Sequence, residues 1–283
     1  MQIHKTAAAM TAWSKEQVKA GKSIGFVPTM GALHAGHKAL IERARAENGA
    51  VAVSIFVNPT QFGPGEDFNR YPRPFDQDRH LCDNAGCDAL FAPEAAEMYS
   101  PDARTWVEVG GLAENLCGLS RPGHFRGVAT VVAKLLAIVR PDRAYFGRKD
   151  AQQLRIIEVL VRDLGLGCQI VPCETVREVD GLAMSSRNKY LAPSERQQAL
   201  CLHKALTHVE QRFKEGERNA LLLAGEMAEI IEDVPGAELD YAAVVDPLTL
   251  EDLKEIQNDA LAALAVKIGN TRLIDNTRLI SAK

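Results

Sequence analysis

The sequence contains no apolar run of the roughly 20 residues that a membrane-spanning helix requires. Its first residues, Met-Gln-Ile-His-Lys, also lack the long apolar core of a secretory signal peptide. These two absences predict a cytoplasmic protein that has no membrane partner.

The sequence also has no excess of positively charged residues. The 33 lysines and arginines are outnumbered by 37 aspartates and glutamates, the formal net charge is −4, and no dense basic run occurs. Because binding to nucleic acid depends on clustered positive charge, we expect no nucleic-acid partner. A local pocket for an anion remains compatible with this composition.

The six cysteines include no CxxC pair and lie in apolar or mixed segments. We interpret them as reduced packing thiols rather than as metal ligands or a redox pair. With 46% hydrophobic and 25% charged residues, the composition is that of an ordinary globular protein. The 283 residues suffice for one large or two ordinary domains.

Strand-like and helix-like segments alternate from the N-terminus to about Val171. The clearest strands are predicted over residues 24–27 and 51–57, joined by a helix over residues 37–48. This alternation is typical of an α/β fold with a doubly wound, Rossmann-like parallel sheet, in which ligands bind at the carboxyl ends of the strands. We assign residues 1–176 to this domain.

The pattern changes in residues 177–283. Pro193, Ser194 and Glu195 predict the start of an amphipathic helix, with Ser194 as its N-cap. A smaller C-terminal α+β lid domain is therefore expected. Its predicted elements are helices over residues 194–215 and 219–233 and strands over residues 238–245, 261–268 and 271–274.

The turn after the first clear strand carries the strongest functional signal. Gly31 and Gly36 allow close approach to the backbone, and the N-terminus of the following helix favours an anion such as phosphate. His34 and His37 are three residues apart, so both imidazoles can donate a hydrogen bond, or carry charge, toward one phosphate. A metal pair or packing histidines would show the same spacing, but no further ligands follow at a recognisable spacing.

A second turn of the same construction follows another predicted short strand. Gly147 breaks that strand, and Lys149 and Asp150 stand at the entry of a helix predicted over residues 151–164. The two side chains suit a phosphate and a ribose hydroxyl, although Asp150 is equally compatible with an N-cap. Gln153, about one turn into the helix, is expected to face the same crevice.

A long loop rich in proline and glycine, residues 58–73, lies directly beyond the second strand, where a substrate loop is expected. Its useful donors are Asn58 and Gln61, unless these amides only serve the loop's own turns. Farther along, three valines at the start of a predicted helix either wall an apolar pocket or pack in the core. They are Val128, Val131 and Val132.

Other polar residues leave both functional and structural interpretations open. Arg121, His124 and Arg126 are compatible with site cations or with turn and surface roles. The segment Met-Ser-Ser-Arg (residues 184–187) combines two hydroxyls, a guanidinium and neighbouring N–H groups, which makes a compact anion-binding segment. Its serines are also compatible with helix capping.

Five motifs, in this order, resemble the pantothenate synthetase family of the HIGH-type nucleotidylyltransferase superfamily. They are Pro-Thr-Met-Gly-Ala-Leu-His-Ala-Gly-His (residues 28–37), Phe-Val-Asn-Pro-Thr-Gln-Phe-Gly (56–63), Arg-Pro-Gly-His-Phe-Arg-Gly-Val (121–128), Gly-Arg-Lys-Asp (147–150) and Met-Ser-Ser-Arg-Asn (184–188). The resemblance continues to Arg-Leu-Ile-Asp-Asn at residues 272–276. Arg148 departs from the Glu or Gln expected at its position, which puts only the local charge in doubt.

The resemblance implies an ATP-dependent condensation of pantoate with β-alanine through a pantoyl adenylate, with release of AMP and pyrophosphate. It implies that His37 is the principal catalytic acid, with His34 beside it. We add Lys149 as a catalytic group that neutralises phosphate charge. Residues implied to bind ATP are Met30, Gly31, Ala32, Leu33, His34, Ala35, Gly36, His37, Gly147, Arg148, Lys149, Asp150, Val176, Met184, Ser185, Ser186 and Arg187.

For the organic substrates, the resemblance implies that Gln61 and Gln153 bind pantoate and that Gln61 lies near β-alanine. We add Asn58 as a β-alanine donor and the three valines as the surface for the two methyl groups of pantoate. Mg²⁺ is expected on the ATP phosphates, and a homodimer is implied by the resemblance alone.

Three alternatives share parts of this pattern. An adenylyltransferase acting on phosphopantetheine or nicotinate mononucleotide would transfer to a phosphate and generally lacks such a C-terminal domain. A class I aminoacyl-tRNA synthetase fragment would carry a lysine-rich loop in place of residues 184–187. A sensor that binds ATP without turnover would not need paired histidines.

Overall fold

The computed structural model describes residues 1–281. The strands and α-helices, in chain order, are β1 (Gln2–His4), α1 (Ala7–Lys19), β2 (Ile24–Thr29), α2 (Ala35–Glu47), β3 (Ala50–Ile55), α3 (Phe75–Asn84), β4 (Ala89–Phe91), α4 (Ala95–Met98), α5 (Cys117–Ser120), α6 (His124–Val139), β5 (Arg143–Gly147), α7 (Ala151–Asp163), β6 (Gln169–Cys173), α8 (Pro193–Gln198), α9 (Leu200–Lys214), α10 (Ala220–Glu232), β7 (Ala237–Val245), β8 (Ala260–Ile268) and β9 (Thr271–Leu279).

The chain forms two compact units that do not divide at a single point of the sequence. The first unit comprises Met1–Ala113, Arg121–Arg148 and Gln153–Glu174. The second comprises Glu114–Ser120, Lys149–Gln152 and the residues from Thr175 onward. Two short internal segments therefore belong to the unit that is formed mainly by the C-terminal part of the chain.

The first unit contains a six-stranded parallel sheet with the order β1-β4-β3-β2-β5-β6. Side chains alternate between its two faces. Val27 and Val53 pack with Ile41 of α2 and Cys82 of α3 on one face. Helices α1 and α6 pack against each other and against β2. The predicted doubly wound α/β fold is confirmed.

The order of the strands reverses between β2 and β5. From β2 the chain proceeds to β3 and β4 on one side, whereas β5 and β6 lie on the other side. In sheets of this type, ligands bind outside the carboxyl ends of the strands at such a point. The turn after β2 and Gly147 at the end of β5 therefore stand where the fold favours a ligand.

The second unit contains an antiparallel sheet with the order β7-β8-β9. Helices α9 and α10 cover one face and bury apolar side chains that include Leu202, Leu223 and Leu264. Asn219 is the N-cap of α10 and accepts a hydrogen bond from the N–H of Leu222 at 3.0 Å. This small α+β arrangement agrees with the predicted order of helices and strands.

Several predicted boundaries are wrong. Strand β3 ends at Ile55 rather than at Val57, because its pairing with β2 ends there. The helix predicted over residues 194–215 is broken at Ala199 into α8 and α9. Ser194 is not its N-cap, since Pro193 begins the helix and Glu195 accepts from the N–H of Ala192 at 2.7 Å. The last predicted strand continues past residue 274 to Leu279, because β8 pairs with it along its whole length.

Among residues 1–281, none of the helices is both long enough and apolar enough to cross a membrane.

Candidate active site

The turn between β2 and α2 has an unusual backbone. Gly31 and Ala32 have φ values of 85° and 51°, in the left-handed region that alanine rarely adopts. The carboxylate of Asp78, on α3, accepts hydrogen bonds from the N–H groups of Ala32 (2.8 Å) and Leu33 (2.7 Å). Because Asp78 is only 2% exposed, a buried negative charge holds the shape of this turn.

Thr29 and Gly31 connect the turn to the sheet. The Thr29 hydroxyl donates to the carbonyl of Ser54 at 2.7 Å and accepts from the N–H of Gly31 at 3.1 Å. A Cβ at position 31 would lie 3.0 Å from a carboxylate oxygen of Asp78. The positive φ and this close approach both require glycine at position 31.

His34 and His37 cap the start of α2 reciprocally. Nδ1 of His34 accepts from the N–H of Gly36 at 3.1 Å, and Nδ1 of His37 accepts from the N–H of His34 at 3.3 Å. Because a backbone N–H can only donate, both Nδ1 atoms are unprotonated, and each neutral ring carries its proton on Nε2. The ring centroids are 4.2 Å apart.

This capping changes the predicted start of the helix. The first helical residue is Ala35 rather than His37, and His34 is the N-cap. The two imidazoles nevertheless lie side by side, as their spacing indicated. Of the two predicted forms of the rings, hydrogen-bond donor or cation, the caps favour the neutral donor.

Asn58 is 1% exposed, and both ends of its side-chain amide form hydrogen bonds. Nδ2 donates to Oε1 of Gln61 (3.0 Å) and to the carbonyl of Gly127 (3.1 Å). Oδ1 accepts from the hydroxyls of Tyr99 and Thr60, both at 2.9 Å. Burial raises the pKa of Tyr99, and the hydrogen bond with Thr60 offsets only part of this effect, so the phenol remains protonated. These bonds indicate that Asn58 orients Gln61.

The side chain of Gln61 therefore has a defined polarity. Its Oε1 accepts from Asn58, so Nε2 is the end of the amide that donates elsewhere. That Nε2 lies 3.1 Å from Sδ of Met30. The contact brings the loop over residues 58–73 together with the histidine-bearing turn inside the first unit.

The start of α6 holds the same loop. Arg121 forms a bidentate ion pair with Glu66, both bonds being 2.7 Å long, and contacts Nε2 of His124 at 2.9 Å. Nδ1 of His124 lies 2.8 Å from the carbonyl of Gln61. Burial alone would raise the pKa of Glu66, but the hydrogen bonds and charge of Arg121 outweigh burial and lower it. Arg121 and His124 thus support the loop.

Helix α6 approaches the loop closely. A Cβ at Gly127 would lie 2.3 Å from the carbonyl oxygen of Thr60. The three valines Val128, Val131 and Val132 are 2%, 6% and 5% exposed, which is compatible both with core packing and with the inner wall of an apolar pocket.

Arg126, on the same helix, contacts Glu108 and Trp106 rather than the loop. Its guanidinium lies 3.5 Å from the carboxylate of Glu108 and 5.0 Å from the ring centroid of Trp106. The arginine side chain is 48% exposed, which supports the surface interpretation for this residue.

At the end of β5, Gly147 pairs with Cys173 of β6. Arg148 follows and forms an ion pair of 2.9 Å with Glu174, whose side chain is 87% exposed. The positive charge at position 148 is therefore balanced locally. Gln153, half-buried on α7, also belongs to the first unit.

The second unit contains the remaining candidate residues. Lys149 and Asp150 lie in a 3-10 turn, and the carbonyl of Val176 accepts from the N–H of Met184 at 3.0 Å. Ser185 is the N-cap of a 3-10 helix, Ser186–Tyr190, and its Oγ accepts from the N–H of Arg187 at 3.3 Å. The capping interpretation of Ser185 is thus correct, and it does not conflict with a role in anion binding.

Two supporting residues, Asp78 and Tyr99, carry no recognisable signal in the sequence. Asp78 lies two residues after Asp76 in a polar stretch, and nothing in the pattern distinguishes the buried acid from its neighbour, which is 88% exposed. Tyr99 follows a four-residue helix whose spacing gives no periodic signal. Both residues act through contacts between distant parts of the sequence, which a single sequence does not reveal.

The parallel sheet and the histidine-bearing turn at its reversal point define an α/β protein of the nucleotide-binding class. The model of the family described as "Pantoate-beta-alanine ligase" matches residues 2–278. The chain therefore belongs to the pantoate–β-alanine ligase family.

Curated and solved relatives agree with this assignment. The pantothenate synthetase of Thermotoga petrophila is 52% identical over 99% of this chain and 100% of its own length. A crystal structure of pantothenate synthetase from Thermus thermophilus has a TM-score of 0.94 and 45% identity, covering 99% of this chain and 100% of that chain. A Francisella tularensis pantoate-β-alanine ligase, crystallised with "Beta-gamma ATP" and β-alanine, has a TM-score of 0.80 and 36% identity, covering 98% and 97%.

Proposed function

We propose that this ligase condenses pantoate with β-alanine in two steps that use ATP. In the first step, a carboxylate oxygen of pantoate attacks the α-phosphorus of ATP, and pyrophosphate leaves. In the second step, the amine of β-alanine attacks the carbonyl of the pantoyl adenylate, AMP leaves, and pantothenate forms. Family membership and the Francisella relative described with ATP and β-alanine support this reaction.

The histidine pair carries the proposal for catalysis. The pair lies in the turn that follows β2, at the strand end where sheets of this type favour a ligand, and its Nδ1 atoms accept from the backbone. We assign the Nε2–H groups as donors to the phosphates of ATP. The phosphate oxygens become more negative during the displacement. Preorganised hydrogen-bond donors stabilise this charge and so lower the activation barrier of adenylate formation. We assign this role to His37 first, then to His34 and to the ammonium group of Lys149.

We assign the pantoate carboxylate or hydroxyl to Gln61 and Gln153. The hydrogen bond from Asn58 supports this role of Gln61, because it leaves Nε2 to donate to a substrate oxygen. The methyl groups of pantoate are assigned to Val128, Val131 and Val132. Direct contact of Asn58 with β-alanine stays a prediction that requires one of its present hydrogen bonds to be exchanged, whereas Gln61 requires no such change.

The ATP contacts are assigned on the family resemblance, and each has a measurable consequence for the KM of ATP. They involve residues 30–37, 147–150 and 184–187 and Val176. A lid role for residues 177–283 belongs to the same proposal.

Mg²⁺ enters this proposal as part of the MgATP substrate. Within residues 1–281, no group of three His, Cys, Asp or Glu side chains is arranged to hold a metal ion. At nucleotide sites, Mg²⁺ is usually held by substrate phosphates and water together with one or two carboxylates.

The proposal also includes a location and an oligomeric state. A cytoplasmic location fits six cysteines that form no disulfide in the described part of the chain. A homodimer is proposed from the family resemblance alone, and sedimentation equilibrium across a concentration series would measure the mass of the assembly.

The function is tested by incubating the protein with ATP, Mg²⁺, pantoate and β-alanine and omitting each in turn. We expect AMP in stoichiometric amounts with pantothenate only when both organic substrates are present. Exchange of labelled pyrophosphate into ATP should require pantoate and no β-alanine. Exchange that requires phosphopantetheine or nicotinate mononucleotide instead, or ATP binding without turnover, would contradict the proposal.

A further inference from the structure

Strand β9 contains two buried polar residues in succession. Asp275 and Asn276 are 2% and 9% exposed, and they pair with Leu264 and Ala263 of β8. Leu273 and Leu279 belong to the cluster that packs against α9 and α10. Because side chains alternate along a strand, Asp275 lies on that face and Asn276 lies on the opposite face.

Asp275 holds the segment that precedes residues 184–187. Its carboxylate forms a bidentate pair with Arg177, with bonds of 2.6 and 3.1 Å, and also accepts from the N–H of Asn276 at 2.8 Å. Arg177 in turn donates to the carbonyl of Gly181 at 3.0 Å and forms a β-bridge with Ala183. A short hairpin is therefore fixed to β9 by a buried charge pair.

The same hairpin determines where the hydroxyl-arginine segment begins. Met184 N–H donates to the Val176 carbonyl, one residue before Arg177. The 3-10 helix Ser186–Tyr190 that follows packs against β9. Strand β9 therefore contacts the chain on both sides of Ser185, through the bonds of Asp275 to Arg177 before it and through the packing of the 3-10 helix after it.

Asn276 holds Lys149 on the opposite face of the strand. Its Nδ2 donates to the backbone carbonyl of Lys149 at 2.8 Å. The lysine ammonium stands on a stem of four methylene groups, and because this stem has a finite length, the phosphates it can reach depend on where the backbone of Lys149 is held. A displacement of about 1 Å in a reacting or stabilising group can cost on the order of 100-fold in rate.

We propose that Asp275 and Asn276 are positioning residues for adenylate formation. These two residues are neighbours on β9, and their side chains point to opposite faces of the strand. Together they hold the backbone of Lys149 and the segment from Val176 to Arg187 in fixed positions relative to β9. This inference rests on the proposed function of Lys149 and of that segment in binding ATP.

The test compares Asn276→Asp with wild type in pantoate-dependent pyrophosphate exchange. The substitution keeps the shape of the side chain but replaces the donor to the Lys149 carbonyl with an oxygen. We expect kcat/KM for ATP to fall by about tenfold or more, on the scale of a misplaced stabilising group, with the KM of pantoate unchanged within about twofold. Asn276→Ala removes the donor without adding charge, and it replaces Asn276→Asp in the same kinetic test if that variant does not fold.

Thr277→Val is the matched control. The Thr277 hydroxyl bonds to Glu210 of α9, one residue farther along the same strand. This substitution therefore also removes a hydrogen bond made by β9. The bonds from β9 to Lys149 and Arg177 stay in place. We expect a loss of thermal stability similar to that of Asn276→Ala and wild-type kcat/KM for ATP.

A double-mutant cycle separates positioning from general destabilisation. If Asn276 acts through the Lys149 ammonium, then Asn276→Asp should have little further effect on kcat/KM for ATP in a Lys149→Ala background. Fully additive losses, or wild-type kinetics of the Asn276 variants, would overturn the inference. Wild-type kinetics of Lys149→Ala alone would instead contradict the proposed role of Lys149.

Discussion

The carboxylate of Asp78 accepts a hydrogen bond of 2.7 Å from the N–H of Leu33, so a buried acid on α3 supports the turn that precedes the two histidines. A second bond, from Ala32, ends on the other carboxylate oxygen. Charge-assisted bonds of this kind are stronger than neutral ones, and they are made here where water is excluded. Asp78 therefore holds the backbone of Ala32 and Leu33, next to the bond from the N–H of Gly31 to Thr29.

We predict that Asp78→Asn weakens both stability and ATP binding. The asparagine keeps one acceptor oxygen and turns an NH₂ group toward a backbone donor, so the unfolding free energy should fall by about 1–3 kcal/mol. The KM of ATP should rise while the KM of β-alanine stays near wild type. Urea unfolding and steady-state kinetics measure the two effects.

Asp76→Asn is the control on the same helix. The Asp76 side chain is 88% exposed and lies 3.8 Å from Arg79, so its replacement should change the unfolding free energy by less than about 0.5 kcal/mol. Equal effects of the two substitutions would show that the turn does not depend on Asp78.

A second prediction concerns the polarity of Gln61. Gln61→Glu still offers an oxygen to Nδ2 of Asn58, but it replaces the Nε2 donor with a charged acceptor. The KM of pantoate should rise by about 100-fold, since a donor to a substrate oxygen is lost and a like charge faces the carboxylate. The KM of ATP, measured at saturating pantoate, should change by much less. A proportional increase of both constants would argue against the pantoate assignment.

Two glycines in helices provide a third, paired prediction. Gly127→Ala would place a Cβ 2.3 Å from the carbonyl oxygen of Thr60, so α6 or the loop must move, and activity should fall together with stability. Gly225→Ala, on α10, meets no atom within 4 Å, and it should stabilise the protein by about 0.5–1 kcal/mol because alanine favours the helix. Thermal unfolding and the ligase assay compare the two variants, and tolerance of Gly127→Ala would refute the close approach.

Apolar patterning predicted the parts of the fold that depend on local signals. The runs at β2 and β3 and the glycine at position 147 are visible in the sequence, and they place the histidine turn at the carboxyl end of a parallel strand. The end of β9 was missed because Asp275, Asn276 and Thr277 interrupt its apolar pattern. Their polarity is compensated by Arg177, Lys149 and Glu210, which come from other parts of the chain.

In the candidate site, too, the sequence predicted the features that depend on local spacing and not the contacts between distant residues. Spacing predicted that His34 and His37 would be neighbours, but it did not predict that each ring caps the backbone through Nδ1. Asn58 and Gln61 were recognised as donors, whereas the bond between them depends on Tyr99 and Gly127, which lie 41 and 69 residues away from Asn58. Partners at such separations leave no periodic signal in one sequence.

The ion pair between Glu66 and Arg121 makes part of the stability depend on pH. Burial raises the pKa of Glu66, but Arg121 outweighs burial, and the pKa in the folded protein lies below its ordinary value of 4.5. A lowered pKa means that the pair contributes its full stability above about pH 4.5 and loses it as the pH falls through the folded pKa. Urea unfolding of wild type and Glu66→Gln should therefore differ near neutral pH and converge once the pH falls below the pKa of Glu66 in the folded protein. A difference that is constant with pH would exclude this linkage.

The reciprocal cap allows the catalytic and structural roles of His37 to be separated. A glutamine at this third helical position can still accept from the N-cap N–H, as in a capping box, but it has no imidazole Nε2–H. We therefore expect His37→Gln to keep the unfolding free energy within about 1 kcal/mol of wild type and to lower pantoate-dependent pyrophosphate exchange by about 100-fold or more. His37→Ala should show the same kinetic loss with an additional loss of stability, because the cap is removed as well. Near-wild-type exchange by His37→Gln would mean that the ring serves only to begin the helix.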